Sequence, residues 1–323
     1  MAIERTPWFI AGGVEHSAEL ARILANAATS GATGVTYPSS FKVTAQDVPN
    51  GSVRVNSGVG PIASTYPGAA GQTYIVRSTG TTDVTIAPTG SASGRSDLII
   101  VSVDDPQYVG TAPEDPNDYD YTKLEVISGV PSNTRDISQI ELNRPAIALA
   151  RIDIPSSTGT ITQSMIKDLR KIALPKRERN MLTLYGSVRA GSTAHMVGDG
   201  YATWPIRESQ RPKVFVPEWA THLQMNVTIA GAFYQEGSPV GETVYGFRVG
   251  LSGHTPAQNG ILTIEDRQRV YMNVVGNIPI SPSVRGTEQY LDVIATRTKG
   301  VGRLGSDFQT SIVLDFEWNE IVE

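Results

Sequence analysis

The sequence predicts a mainly β protein of two β-sandwich-type domains, with an N-terminal helix and a second helix linking the domains. Three observations carry this. Short runs of alternating or wholly apolar residues recur through both halves, each cut by Gly, Pro or Asn. Glycine and proline are plentiful, 31 and 20 of 323 residues, while charged residues make up only 18%, below the roughly 25% of an ordinary soluble domain. Two stretches of helical period bracket the first β region, and the length suits two domains of ordinary size.

Residues 17–30, SAELARILANAATS, place Leu20, Ile23, Leu24 and Ala27 at helical spacing, with Ser17 as cap and Gly31 as stop. From Ser40 the period becomes two, in FKVTA, GSVRVNSG, TYIVRSTG, TDVTIAPTG and SDLIIVSVDD. Leu98 to Val101 are apolar on both faces, as in a central strand. TKLEVISG follows, and then PAIALARIDIP, where Ala146, Ala148, Ala150, Ile152 and Ile154 are expected on one face and Arg151 and Asp153 on the other. TITQSMIKDLRKIALP sets Ile161, Met165, Ile166, Leu169 and Ile172 on one side of the predicted linking helix, stopped by Pro175. The charged KRERN segment, 176–180, is the expected hinge. Beyond it THLQMNVTIAG, YLDVIATRTKG and SIVLDFEWNE alternate again. The predicted organisation is an arm and helix (1–33), a β-sandwich (34–160), a linking helix and hinge (161–180) and a jelly-roll-like β-sandwich (181–323).

The formal net charge is -5, so the chain lacks the basic field that collects phosphate backbones, and nucleic acid is not an expected partner. The absence of cysteine removes disulfides and thiolate-ligated metals. The first twenty residues, with charge at Glu4 and Arg5, predict no cleaved export signal, and no run predicts membrane insertion. The histidines, His16, His195, His222 and His254, form no H-E-x-x-H pair, and Ser252 beside His254 lacks a third orienting group. Gly300, Gly302 and Gly305 in GVGRLG have the dinucleotide-binding spacing, but a strand follows where a helix is needed, so a hairpin connection is expected. No cofactor, metal site or catalytic residue is predicted, and the chain is read as no enzyme.

One segment stands out. DDPQYVGTAPEDPNDYDY, residues 104–121, packs six carboxylates, three tyrosines and three prolines between two strands. A calcium loop of the helix-loop-helix kind needs a Gly at its sixth position and a carboxylate at its twelfth; counting from Asp115 gives Asp120 and Val126, which leaves only an irregular calcium site open. A glycosidase pair needs two carboxyls at a set separation, which spacing in sequence does not supply. Prolines that stiffen the backbone and tyrosines that offer rigid contact area favour a shaped interaction loop. Its candidate contact residues are Asp104, Asp105, Tyr108, Asp115, Asp118, Tyr119, Asp120 and Tyr121. In the second half Trp204 and Trp219, beside prolines, are candidate glycan contacts by ring stacking, with core packing as the competing reading.

Four segments in order, GVEHSAELARILANAATSG, GRSDLIIVSVDDPQY, YTKLEVISGVP and PAIALARIDIPSSTGTITQSMIKDLR, resemble the minor tail proteins of long-tailed bacteriophages that infect actinobacteria. The likeness extends more loosely to upper-baseplate and fibre-base proteins of other tailed phages. It spans residues 10–175 and includes the acidic tyrosine loop. The resemblance implies a structural protein of the virion, located in the phage tail and assembled in the host cytoplasm. Its first domain would attach to the tail tip or baseplate, and its second would serve assembly or host adhesion. It further implies a homotrimer with other tail-tip or baseplate proteins as partners, the loop being a subunit or partner contact. The ending EWNEIVE, with no shaft after the sandwich, suits a compact base or wing protein. The alternatives are a receptor-binding protein that recognises a host cell-wall glycan and a carbohydrate-active enzyme on a β-sandwich.

Overall fold

A computed structural model of the chain describes residues 16–185, 195–235, 241–253, 260–266 and 268–322. Residues 1–15 of the expected arm, and His254 of the Ser252–His254 pair, lie outside the described residues. The chain divides into two units, residues 1–174 with 322–323, and residues 175–321.

The first unit opens with α1 (Ala18–Thr29), capped by Ser17, whose Oγ accepts from Leu20 N–H at 3.2 Å. Ser30, in the left-handed region at φ 51°, ends it, and Gly31 N–H closes on Asn26 O. The strands are β1 (Val43–Ala45), β2 (Ser52–Val55), β3 (Gly58–Ala63), β4 (Thr73–Ser78), β5 (Thr82–Thr85), β6 (Arg95–Val103), β7 (Thr122–Val130), β8 (Ala146–Ile154) and β9 (Ile166–Asp168). They form three antiparallel groups: β1-β2-β5, the ribbon β3-β4, and the four-stranded sheet β7-β6-β8-β9. As its composition predicts, β6 is central. Ile99 and Val101 enter the main core with Val35, Val53, Ile62 and Leu149, while Leu98 and Ile100 pack beneath a smaller cluster with Val130, Ala146 and Ala148.

Three expectations are corrected here. Along β8 the register slips between the Ala150–Ile99 and Ala148–Ile100 pairs, leaving Leu149 as an extra residue. Such a bulge reverses the alternation, so Ala146 and Ala148 face the smaller cluster and Ala150, Ile152 and Ile154 the main core. The predicted linking helix does not form. Its sequence makes one 3-10 turn, Gln163–Met165, then β9, which pairs Ile166 with Ile152, and a parallel bridge from Ile172 to Val35. Ile166 and Ile172 are six residues apart, a spacing that also suits a strand face, and tertiary pairing overrides the helical period. The Arg170 guanidinium, wholly buried, donates to Pro38 O and Ser40 O at 2.7 Å and to Asp168. Gly34 lets this segment close: a Cβ there would stand 2.3 Å from Lys171 O. The expected hinge is corrected as well, because Arg177–Asn180 of KRERN begin a strand that pairs throughout with the last strand of the second unit.

The second unit contains β10 (Arg177–Tyr185), β11 (His195–Met196), β12 (Ala202–Thr203), β13 (Lys213–Phe215), β14 (His222–Gln235), β15 (Thr243–Leu251), β16 (Gly260–Ile264), β17 (Arg269–Pro279), β18 (Glu288–Lys299), β19 (Arg303–Ser306) and β20 (Ser311–Asn319). One sheet runs β10-β20-β14-β19-β11 with β17 also on β14; the other runs β12-β18-β15-β16 with β13 on β18. A single core lies between the two sheets. The period-two reading holds: Leu223, Met225, Val227 and Ile229 of β14, and Ile312, Leu314, Phe316 and Trp318 of β20, are all buried. GVGRLG is not a hairpin connection, since β18 and β19 belong to different sheets. Gly302 there donates its N–H to Thr243 Oγ1 and accepts from Tyr245 O–H.

Carboxylates hold much of the first unit's surface in register. Lys171 and the Ser138 N–H draw the Asp136 carboxyl down to about 2, and Arg151, with help from Ser96, lowers Asp153. Lys123 lowers Asp104 in the same direction. A depressed folded-state pKa contributes stability that is complete above the unfolded value, about 3.9 for Asp, and is lost as pH falls through the folded value. The first unit is therefore expected to keep its stability down to about pH 4 and to lose it progressively between about 4 and 2. Chemical denaturation across that range measures this.

Candidate functional site

The segment 104–121 joins β6 to β7 and is fixed at its base. Tyr66, 3% exposed, donates its O–H to Val103 O at 2.7 Å and accepts from Asp105 N–H at 3.1 Å. The Tyr66 ring stacks on Tyr108 at 5.4 Å and meets Tyr74 edge-on at 6.5 Å. Tyr74 O–H donates to Asp105 Oδ2 at 2.8 Å, while Asp105 Oδ1 accepts from Gln107 N–H at 3.0 Å. Burial, reinforced by that bond to a carboxylate, pushes the Tyr74 hydroxyl well above the ordinary phenol range, so it remains a donor.

Arg22 of α1 ties this base to the helix. Its Nε donates to Gln72 Oε1 at 2.6 Å and its Nη2 to Gln107 Oε1 at 2.9 Å, its Nη1 lies 3.7 Å from Asp105, and the guanidinium covers the Tyr74 and Tyr108 rings. Asn26 adds a bond to Thr73 Oγ1 at 2.9 Å. This polar face, with Ala21 and Ala25 beside it, docks α1 onto β4. Of the predicted apolar stripe Leu20 is half-buried, while Ile23 and Leu24 face solvent, 46% and 44% exposed. Small side chains let the helix sit close to the strand, and the directional bonds of Arg22 and Asn26 select the face.

On the other side of the loop, Asp104 accepts from Lys123 Nζ at 2.6 Å and Tyr119 O–H at 3.2 Å, and its N–H donates to Tyr121 O. Tyr119 and Tyr121 pack edge-on at 4.8 Å. At the tip Asp115 Oδ1 accepts from Asn117 N–H, closing a turn. The eight candidate contact residues thus divide. Asp104, Asp105, Tyr108 and Tyr119 build the base, while Asp115, Asp118, Asp120 and Tyr121 are exposed. Among the described residues no three His, Asp or Glu side chains converge as metal ligands. Beside the base, α1, β4 and the start of β7 line a cavity of about 500 Å³.

Sequence reasoning missed Arg22, Tyr66, Gln72, Tyr74 and Gln107, as well as Glu19, whose carboxylate accepts from Gln107 Nε2. The single basic residue of α1 was the available signal; its partners lie 50 to 86 residues away. Arg22→Ala leaves Gln72 and Gln107 short of a donor and Asp105 without its nearby cation, and is expected to cost about 1–3 kcal/mol. Hydrogen exchange should speed up at Tyr108 and Val109, with no change in β14.

Trp204 is corrected as a glycan contact. It is 1% exposed, its backbone N–H donates to Val293 O at 3.0 Å, and its ring lies 5.9 Å from Phe247 in the core. Trp219 is half-buried against the same core. The aromatic rings most exposed in this unit are Tyr185, Tyr271 and Phe215.

No family model matches the sequence, and no curated protein matches it. Among solved structures, the infectious bursal disease virus Gx strain is similar over 90% of this chain and 72% of its own, at 10% identity and TM-score 0.23. The VP2 subviral particle of that virus matches over 91% and 73%, at 9% identity and TM-score 0.20. A carbohydrate-binding module from the β-sandwich superfamily matches over 90% and 98%, at 11% identity and TM-score 0.15. Superpositions this loose carry no argument about function.

Proposed function

We propose that the chain is a non-enzymatic structural protein of a virion, a minor tail protein of a phage tail tip or baseplate, acting as a homotrimer. The loop 104–121 carries the reading: its base is held by buried hydrogen bonds, and its acidic tip stands free. A surface fixed in this way loses little entropy when a partner closes on it. The exposed Ile23 and Leu24 of α1 supply apolar area for a subunit contact beside the loop. In this reading the first unit attaches to the tail and the second serves assembly or host contact. Gold-labelled antibody against the second unit, applied to particles of the virus that encodes the chain, is expected to mark the tail end. Label confined to the head, or particles without label, would overturn the proposal.

A further inference from the structure

Two strand edges in the first unit are open and face one groove. The N–H groups of Gly34 and Thr36 bond Pro61 O and Val59 O at 3.0 and 2.8 Å, so those two residues of β3 turn their backbone away from β4. In an antiparallel pair bonded and unbonded residues alternate. With Val59 opposite Arg77 and Pro61 opposite Ile75, the backbone groups of Ile75 and Arg77 point out from the free edge of β4. Across the groove, Asp104 N–H bonds Tyr121 O at 2.8 Å, so Tyr121 faces β6 and, by the same alternation, Thr122 and Leu124 point out from the free edge of β7. Among the described residues neither edge has another strand.

The groove between these edges is continuous. The cavity beside α1 is lined by Ile75 and Thr122; a second, of about 190 Å³, is lined by Arg77, Thr122 and Leu124, so Thr122 belongs to both. Phe41 and Val101 line the second cavity. Phe41 stands at φ 54°, an outlying conformation for a bulky residue, and strain of this kind concentrates at ligand clamps. Arg77, at the rim, has no hydrogen-bond or ion-pair partner among the described residues.

We propose that this groove binds an extended polypeptide strand from a different protein, which adds to β4 and β7 by backbone hydrogen bonds and sets a carboxylate against Arg77. Two rows of outward N–H and C=O groups are the recognition chemistry of strand addition, and they specify a peptide over a sugar or a lipid. Charge disfavours a second copy pairing through these same two edges. β4 contains no acidic residue, and Glu125 of β7 is already held by Arg144 at 2.7 Å. The inference stands independently of the virion reading.

The probe is the acetylated, amidated peptide TVTVEVTVT carrying a fluorophore, titrated into the full-length protein by anisotropy. Saturable binding is expected, weakened about tenfold or more when the glutamate is replaced by lysine, with Arg77→Glu inverting that preference. N-methylation of alternate peptide amides should abolish binding. Ile75→Pro, which removes an N–H that β3 does not use, should do the same without moving the melting temperature. Absence of saturable binding, or binding indifferent to N-methylation, would overturn the proposal. So would self-association of the protein that Ile75→Pro abolishes, since that identifies a second copy as the occupant.

Discussion

Trp204→Ala is expected to lower the stability of the second unit by about 3–5 kcal/mol, the cost of deleting a large aromatic side chain from a close-packed core. Trp204 is 1% exposed and touches Phe247, whose strand β15 and its neighbour β18 form the centre of one sheet. The backbone of Trp204 is itself held in place, its main-chain N–H bonded to Val293 O at 3.0 Å. Calorimetry of the full chain should show the midpoint of the second unit falling by about 10 °C or more while that of the first is unmoved. A ring on a sugar-binding surface predicts the reverse pattern, a stability change within about 0.5 kcal/mol and a loss of ligand.

Arg170→Ala is expected to destabilise the first unit by about 3 kcal/mol or more. The wholly buried guanidinium satisfies Pro38 O and Ser40 O together with Asp168. Alanine leaves two carbonyls without these donors and Asp168 without its bidentate partner. Lysine keeps the charge but not the planar fork, and should recover only part of the loss. Urea denaturation followed by circular dichroism measures both variants. Equal stability of Arg170→Ala and the parent would show that β9 is held by its backbone pairing alone.

These two residues also mark where the sequence was legible and where it was not. Period-two alternation located β14 and β20, because each buries one face against a single core and polar residues fill the other. Unbroken apolar composition located β6 at the centre of its sheet for the complementary reason, both faces being covered. The ends of α1 followed from Ser17 and Gly31. The misreadings arose where long-range contacts outweigh local pattern. Ile161 to Ile172 fit a helix and a strand alike, and the choice was made by Val35, Ile152 and the grip of Arg170 on residues 38–40. The docked face of α1 was chosen by Arg22 and Asn26 meeting Gln72 and Thr73, and the flip along β8 by a bulge with no compositional mark. The loop at 104–121 was legible as a connection between two strands; the tyrosines that hold its base were not, because hydrogen bonds to Val103 O and Asp105 leave no periodic trace.

We propose that the chain works as a trimeric structural component, with the first unit as its assembly module. Its most direct test is the molar mass of the purified protein by light scattering behind a sizing column, alongside an Ile23→Glu, Leu24→Glu double variant. The account predicts about three times 34.7 kDa for the parent and the mass of one chain for the variant, with both folded. A parent that runs at 34.7 kDa across the accessible concentration range would contradict it.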